Sequence, residues 1–381
     1  MTPMEKINGF KNANIILPHR IIKGGLKIEG GRIASFGEGD FELPEDLFVA
    51  PGFIDEHIHG ANGSDVMDAT PEAIFNISNS LLQEGVTSFL PTTMTMGDQM
   101  IVDALKNIRE CANSEKLGAK IQGIHLEGPF ISSRYPGAQD PKFIQAPSEI
   151  AMKRYVEASG HLIKEVTFAY EEDKDDEFLN YVLREGILPS NGHSDCPGKL
   201  LGEGARKGIR SITHIFNGQR PFNHREIGVV GEALVDDRLR VELIADFIHS
   251  SPEAVKLAFK SKNKGDIVLI SDSTEGKYLA PGTYHLGGNK IYIRDGVARL
   301  ENGTIAGSIL RLDQALRNVR TIAPDYSMSD LINLVSKNPA DNLRLQGVGQ
   351  IKEGYAADFA ILDRDFHVVM TIVDGVIRYR K

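Results

Sequence analysis

Phe53-Ile-Asp-Glu-His-Ile-His-Gly60 is the stretch that decides the fold. An apolar start runs into Asp55, His57 and His59, and alternation along an extended chain puts these three on one face. Two imidazoles spaced in this way can grip one divalent cation. Three further segments have the same plan, the end of a buried strand finishing in metal-ligand or acid/base residues. They are Ile121-Gln-Gly-Ile-His-Leu-Glu-Gly-Pro129, Pro189-Ser-Asn-Gly-His-Ser194 and Ser211-Ile-Thr-His-Ile-Phe-Asn217. A fifth, Ile267-Val-Leu-Ile-Ser-Asp272, ends in a lone carboxylate. A single histidine after an apolar run is more often a hydrogen-bonded core residue. Five such ends in one chain predict side chains that converge on one rim of a barrel, the arrangement metal-assisted hydrolysis needs.

Between residues 52 and 340 strand and helix signals alternate around these segments. Helices are expected over Pro71–Glu84 with Thr70 as N-cap, Asp98–Cys111, Glu149–Ala158 with Ser148 as N-cap, 175–185, Pro197–Lys207, 252–260 and 308–319. Strands fall between them at Ser88, Ile121, Glu165, Gly186, Ser211, Val241 and Asp266. With the Phe53 segment this makes about eight strand–helix units, the number a (β/α)8 TIM-like barrel requires. The first fifty residues and the last forty read differently. Both are short and strand-like, with turns expected at Gly24-Gly25, Gly30-Gly31 and Asp374-Gly375. The expected organisation is a metal-dependent barrel over 52–340 and a small β domain built from residues 1–51 and 341–381.

Composition narrows the function classes. The chain has 381 residues, 41% of them hydrophobic, enough for a full core. Its formal net charge of −9 argues against nucleic acid or an anionic membrane as the main partner. Two cysteines cannot build a disulfide framework. The first residues are polar and no run approaches the ~20 apolar residues of a membrane span. A cytoplasmic protein is expected.

The site residues follow from the strand ends. Glu127, His193 and His214 supply a His2Glu set that leaves a position open for water, and His57 and His59 supply a second pair. Neutral imidazole suits Zn, Fe, Mn or Co, so the donors do not choose the metal. Asp272, at the end of the last strand, is placed as general base, taking a proton from water and returning it to a leaving nitrogen. Asn217, His224, Arg225 and His249 are candidate substrate contacts. Arg225 in the loop Gln219–Gly228 has the planar fork that binds phosphate, although a surface arginine reads the same way. Arg220 and Lys277 are weaker candidates of that kind.

These segments together resemble the N-acetylglucosamine-6-phosphate deacetylases of the amidohydrolase superfamily. The likeness runs through Pro51–Asp55 with His57-Ile-His-Gly60, Gly85–Thr93, His125-Leu-Glu-Gly-Pro-Phe130, Gly137-Ala-Gln-Asp-Pro141, Gly192-His-Ser194, Thr213-His-Ile-Phe-Asn217, His224-Arg-Glu226, Ile244-Ala-Asp246 with His249, Gly303–Ser308 and Asn338-Pro-Ala340. The resemblance implies a barrel carrying a small β-sandwich domain made from both ends of the chain, 1–51 and 341–381, and hydrolysis of the N-acetyl group of an amino-sugar 6-phosphate. It implies a principal metal on Glu127, His193 and His214, with Asp272 as acid/base. Because His57 and His59 are both present, one or two ions per subunit are expected, with Glu127 shared. It also implies a homodimer in which Arg225 reaches the phosphate of the neighbouring subunit's substrate. Gln139 falls where some members carry a histidine near the acetyl group, and Gly218 and Gln219 follow Asn217 where Ala-Met is usual. Departures at Gly218, Ile227, Phe247, Ser250 and Ser273 cluster at sugar and phosphate contacts. The alternatives are therefore N-acetylgalactosamine 6-phosphate, a cyclic amide, an N-acyl amino acid, or a barrel that senses sugar phosphates without catalysis.

Overall fold

The computed structural model describes residues 5–381. Eight parallel strands close into a barrel: β1 (Phe53–Ile58), β2 (Val86–Pro91), β3 (Ile124–Glu127), β4 (Ile163–Phe168), β5 (Leu188–Asn191), β6 (Ser211–Ile212), β7 (Arg240–Leu243) and β8 (Ile267–Leu269). Strands β3 to β8 pair in sequence order, and β1 pairs with β2. Two parallel bridges complete the ring. Thr92 with His125 joins the end of β2 to β3, and Ile58 with Ser273 joins β1 to the segment after β8. The strands are buried on both faces, as helix-covered parallel strands must be. Leu90 of β2 and Leu188 of β5 meet Leu343 inside the barrel, so its N-terminal end is plugged by apolar side chains. The C-terminal end stays polar, and there the site forms.

Eight further strands come from both ends of the chain and form one curled sheet. Its order is Val376–Arg380, Val368–Val373, Phe359–Leu362, Phe48–Pro51, Gly9–Leu17, Arg20–Glu29, Arg32–Phe36, with Phe41–Glu42 also on Gly9–Leu17. Phe48–Pro51 is the seam, parallel to Gly9–Leu17 and antiparallel to Phe359–Leu362. Bridges between Lys6 and Val376 and between Arg32 and Ala356 bring the edges together. The result is a β-sandwich whose core includes Phe10, Ile15, Leu26, Val49, Phe359 and Ile372. Lys120, just before β3, ties the barrel to this sheet through Asp358 at 2.7 Å and Asp374 at 2.9 Å.

Thr70 and Ser148 cap their helices as the sequence predicts, each accepting from the backbone N–H three residues on. The turns at Gly30-Gly31 and Asp374-Gly375 have both residues at positive φ, the hairpin geometry their sequences favour. Gly24-Gly25 is not a turn. Both residues lie inside Arg20–Glu29, where a Cβ on Gly25 would sit 2.5 Å from the Phe10 carbonyl oxygen and 2.7 Å from that of Gly37. The glycine is needed there for close strand approach rather than for reversal. The last barrel helix starts at Leu312 rather than 308, because Ser308 is extended, bridging Ser273 and donating its N–H to the Asp272 carbonyl at 2.7 Å. Several elements have no counterpart in the sequence reading, among them the short helices Met328–Asn333 and Lys337–Asn342, and two of them bear on the site. One is the helix Gly228–Val235; the other is an antiparallel sheet of Gly282–Leu286, Asn289–Arg294 and Val297–Arg299 that stands over the barrel mouth.

Candidate metal centre and active site

The five strand ends converge. One oxygen of Glu127, at the end of β3, lies 3.2 Å from Nε2 of His193 and 3.1 Å from Nε2 of His214, and those two nitrogens are 3.1 Å apart. A second triad adjoins it: His57, His59 and Asp272, with Asp272 Oδ1 at 3.2 Å from His59 Nε2 and 3.6 Å from His57 Nε2. Glu127 sits between the triads, its Oε2 at 3.3 Å from His59 Nε2. All six side chains are nearly or fully buried. Three of them occupy left-handed backbone at strand ends: His193 (φ 45°), His214 (φ 31°) and Asp272 (φ 47°). Each such non-glycine residue costs about 1–3 kcal/mol, strain of the kind that gathers where side-chain direction matters. Gly137 and Gly218 allow the loops to lie against the His193 ring, since a Cβ on either would come within about 3 Å of it, at 3.0 and 2.9 Å.

The outer ring nitrogens fix the tautomers. His193 Nδ1 is 2.8 Å from the Tyr135 carbonyl oxygen, and His59 Nδ1 is 3.2 Å from that of Thr92. A carbonyl only accepts, so both Nδ1 atoms carry the proton. In the neutral ring each Nε2 then aims a lone pair at a carboxylate oxygen, an arrangement that calls for a cation between them. His57 is braced through Nδ1 by Glu242 Oε2 at 3.0 Å, the carboxylate–histidine support typical of metal ligands. The donor set therefore fits a divalent metal at Glu127–His193–His214 and another beside His57 and His59, with Glu127 and Asp272 facing it.

Electrostatics point the same way. Burial disfavours charge on His59, yet Asp272 and Glu127 raise its pKa to about 9. Burial raises the Asp272 carboxyl, but His57, His59 and His214 override it and hold the pKa down at about 2. The Glu127 carboxyl is likewise held well below its usual range, burial being outweighed by His57, His193 and His214. The site thus attracts positive charge, and protons compete with metal for it. His125 is of another kind. It binds the Glu56 carbonyl through Nδ1 and the Thr167 hydroxyl through Nε2, and burial beside His57 keeps it neutral.

Above the triads lies a cavity of 270 Å³, near the lower end of small-ligand sites. His59, Glu127, Gln139, His193, His214, Asn217, Gly218, His249 and Asp272 all line it. His249 is held there by Asp246, whose Oδ2 takes Nδ1 at 2.7 Å while Oδ1 accepts two backbone N–H groups. His57 lies beneath, fully buried. His224 and Arg225 do not line the cavity of their own chain; they are exposed on the loop 221–226.

Lys277 is not available to phosphate. It is fully buried and ion-paired with Glu84. Arg220 is engaged by Asp195 at 2.8 Å and Glu226 at 3.1 Å. Met94, Leu286, Thr304, Ile305 and Gly307 also line the cavity and have no role in the sequence reading. Glu242 was legible as a charge inside the apolar run Val241–Ala245; Leu286 and Met94 carry no such mark.

A model described as the Amidohydrolase family matches residues 302–379. Over 384 aligned residues the chain is 39% identical to the N-acetylglucosamine-6-phosphate deacetylase of Bacillus subtilis (strain 168), covering 97% of this chain and 96% of that protein. The chain belongs to the N-acetylglucosamine-6-phosphate deacetylase family of the amidohydrolase superfamily. Within the family, the crystal structure from Thermotoga maritima is 35% identical and superposes with a TM-score of 0.90, covering 98% of this chain and 100% of that one. A mutant from Mycobacterium smegmatis in complex with N-acetyl-D-glucosamine-6-phosphate gives a TM-score of 0.92 at 25% identity, with the same coverage. The N-acetylgalactosamine-6-phosphate deacetylase of Escherichia coli O157:H7 is 32% identical over 92% of this chain and 93% of that protein. The barrel with a sandwich from both ends is thus the family's fold.

Proposed function

We propose that this chain hydrolyses the N-acetyl group of N-acetylglucosamine 6-phosphate, adding water across the amide to give acetate and the free amino-sugar phosphate. The observation that carries the reading is the pair of adjoining histidine–carboxylate triads, joined by Glu127 and opening on one cavity, in a chain that aligns with deacetylases over nearly its whole length. Glu127, His193 and His214 would hold the principal ion, Zn, Fe, Mn or Co; His57 and His59 with Glu127 would hold a second. A divalent ion bound there supplies Lewis acidity to the amide carbonyl and acidifies water. Asp272 is ionised at neutral pH, the form that accepts a proton from the attacking water. The same carboxylic acid then gives that proton to the nitrogen as the C–N bond breaks. Asn217, Gly218 and His249, with Gln139, would border the sugar. In a homodimer, the exposed His224 and Arg225 would meet the phosphate of the neighbouring subunit's substrate.

Residues 1–51 with 341–381, and 52–340, are read as the two structural units. Among the described residues no helix is long and apolar enough to cross a membrane, and the cytoplasm is the proposed compartment.

A second reading, the galactosamine epimer, is favoured by the Escherichia coli O157:H7 relative. The test is acetate release by metal-defined protein from N-acetylglucosamine 6-phosphate, its unphosphorylated form and the galactosamine epimer. The first should be preferred by at least tenfold in kcat/KM, a difference of about 1.4 kcal/mol in transition-state binding. Equal rates on all three would overturn the reading, and preference for the epimer would replace it.

A further inference from the structure

Gln139 has a defined set of protein partners. Its side chain is 5% exposed, and both polar ends are engaged inside the protein. Nε2 donates to Glu127 Oε2 at 2.7 Å, and Oε1 accepts the Thr95 N–H, also at 2.7 Å. A backbone N–H only donates, so the Thr95 bond forbids the flipped amide, and the N–H aimed at Glu127 is obligatory. The segment that carries it is held as well. Gln139 N–H donates to the Pro136 carbonyl at 2.9 Å, and the Ala138 carbonyl accepts from Asn289 of the sheet over the barrel mouth at 3.1 Å.

Glu127 sits between the two triads, and its oxygens have different nearest histidines, although Oε1 also comes within 3.6 Å of His57 Nε2. Oε1 is nearest to His214 and His193, at 3.1 and 3.2 Å. Oε2 is nearest to His59, at 3.3 Å, and it is this oxygen that Gln139 holds. A glutamate's terminal torsion is broad and soft. Left free, the carboxylate can turn and give both oxygens to one ion. The Gln139 hydrogen bond sets the carboxylate plane and uses one of the two lone pairs on Oε2, leaving the other for an ion beside His59. An amide does this without bringing a positive charge that would repel a cation.

We propose that Gln139 is a positioning residue that divides Glu127 between two ions, Oε1 to the His193–His214 site and Oε2 to the His57–His59 site. The proposal rests on the reading that both triads take metal; it does not depend on which sugar is the substrate. Partners that orient a metal ligand typically change metal affinity 10–100-fold when removed.

The test uses the full-length protein reconstituted with Mn2+, comparing wild type with Gln139→Leu and with Gln139→Met as a second apolar variant in case one fails to fold. Metal content after titration and low-temperature electron paramagnetic resonance are read. Wild type should take two Mn2+ per chain and give the multiline spectrum of an exchange-coupled pair. The variants should keep one tight ion, bind the second 10–100-fold more weakly, and show the six-line signal of isolated Mn2+. A coupled pair with unchanged affinity in the folded variants would overturn the role of Gln139. A wild type that takes one ion at saturation would overturn the two-ion premise and the proposal with it. Neither result bears on acetate release, which tests the activity separately.

Discussion

His59 donates to a backbone carbonyl on one side and meets two carboxylates on the other. With its pKa raised to about 9, it carries a proton at neutral pH when no ion is present. A metal can take Nε2 only after that proton leaves. Binding at pH 7.5 should therefore release at least one proton per chain, seen as buffer-dependent heats in titration calorimetry. Affinity should climb with pH and level off above about 9; no buffer dependence would contradict the assignment. Asp272→Asn keeps the shape but cannot accept a proton. It should fold, retain the ion on Glu127, His193 and His214, and lose about 10²–10⁴ in kcat. Near-normal turnover would remove Asp272 from its role. At this scale the sequence spoke through spacing. His57, His59, Glu127, His193, His214 and Asp272 each fall where a strand signal gives way to a polar tip, and that change of character shows in the sequence. Leu286 and Met94 were silent because an apolar residue bordering a cavity looks like one in the core. Lys277 misled because a lone lysine in a loop segment reads as exposed, while Glu84, its partner, lies about two hundred residues away in sequence.

The barrel strands carry a second polar layer beneath the triads. Glu56 of β1, Glu165 of β4 and Glu242 of β7 bring carboxylate oxygens within 4.8 Å of one another, all fully buried. Burial, with the like charges of Glu242 and Glu56, raises the Glu165 carboxyl well above its usual value of 4.5. An acid whose pKa is higher folded than unfolded favours the fold below the unfolded value, and that stability is lost as pH rises toward the folded one. Glu165→Gln removes the charge at almost constant shape. It should stabilise the protein at pH 8 by about 1–3 kcal/mol, because an amide has no charge for burial and the neighbouring carboxylates to oppose, with the gain shrinking toward pH 4. Thermal midpoints at both pH values check this, and an equal shift at both would count against it. Strand and helix alternation made most barrel elements legible, because a buried parallel strand and its covering helix differ in period. The sheet over the mouth escaped although its turns, Gly287-Gly288 and Asp295-Gly296, both have positive φ. Its strands are short and half exposed, so no apolar run marks them.

The two ends of the chain share one sheet, and polar contacts fasten the barrel to it, among them Arg317 to the Phe366 carbonyl, Arg320 to Asp365 and Thr371 to the Leu82 carbonyl. Lys120 is the clearest, pairing with Asp358, which is 7% exposed. Lys120→Met would leave that carboxylate without its cation. The loss should be about 2–3 kcal/mol, below that of a fully buried pair because Lys120 reaches solvent. Asp358→Asn in the same background should recover much of it, and a double-mutant cycle on thermal midpoints measures the coupling. Additivity of the two changes would mean the pair does not join the units. That both ends build one domain was legible because closure of the intervening barrel leaves them side by side. The seam has a consequence for synthesis. Phe48–Pro51 pairs on one side with Gly9–Leu17, but its other neighbour, Phe359–Leu362, is about three hundred residues further along. At roughly 5–20 residues per second, a ribosome needs about 15–60 s to deliver it. Throughout that interval the nascent chain displays an open, apolar strand edge to the crowded cell, so chaperone demand should be greatest before the last strands emerge.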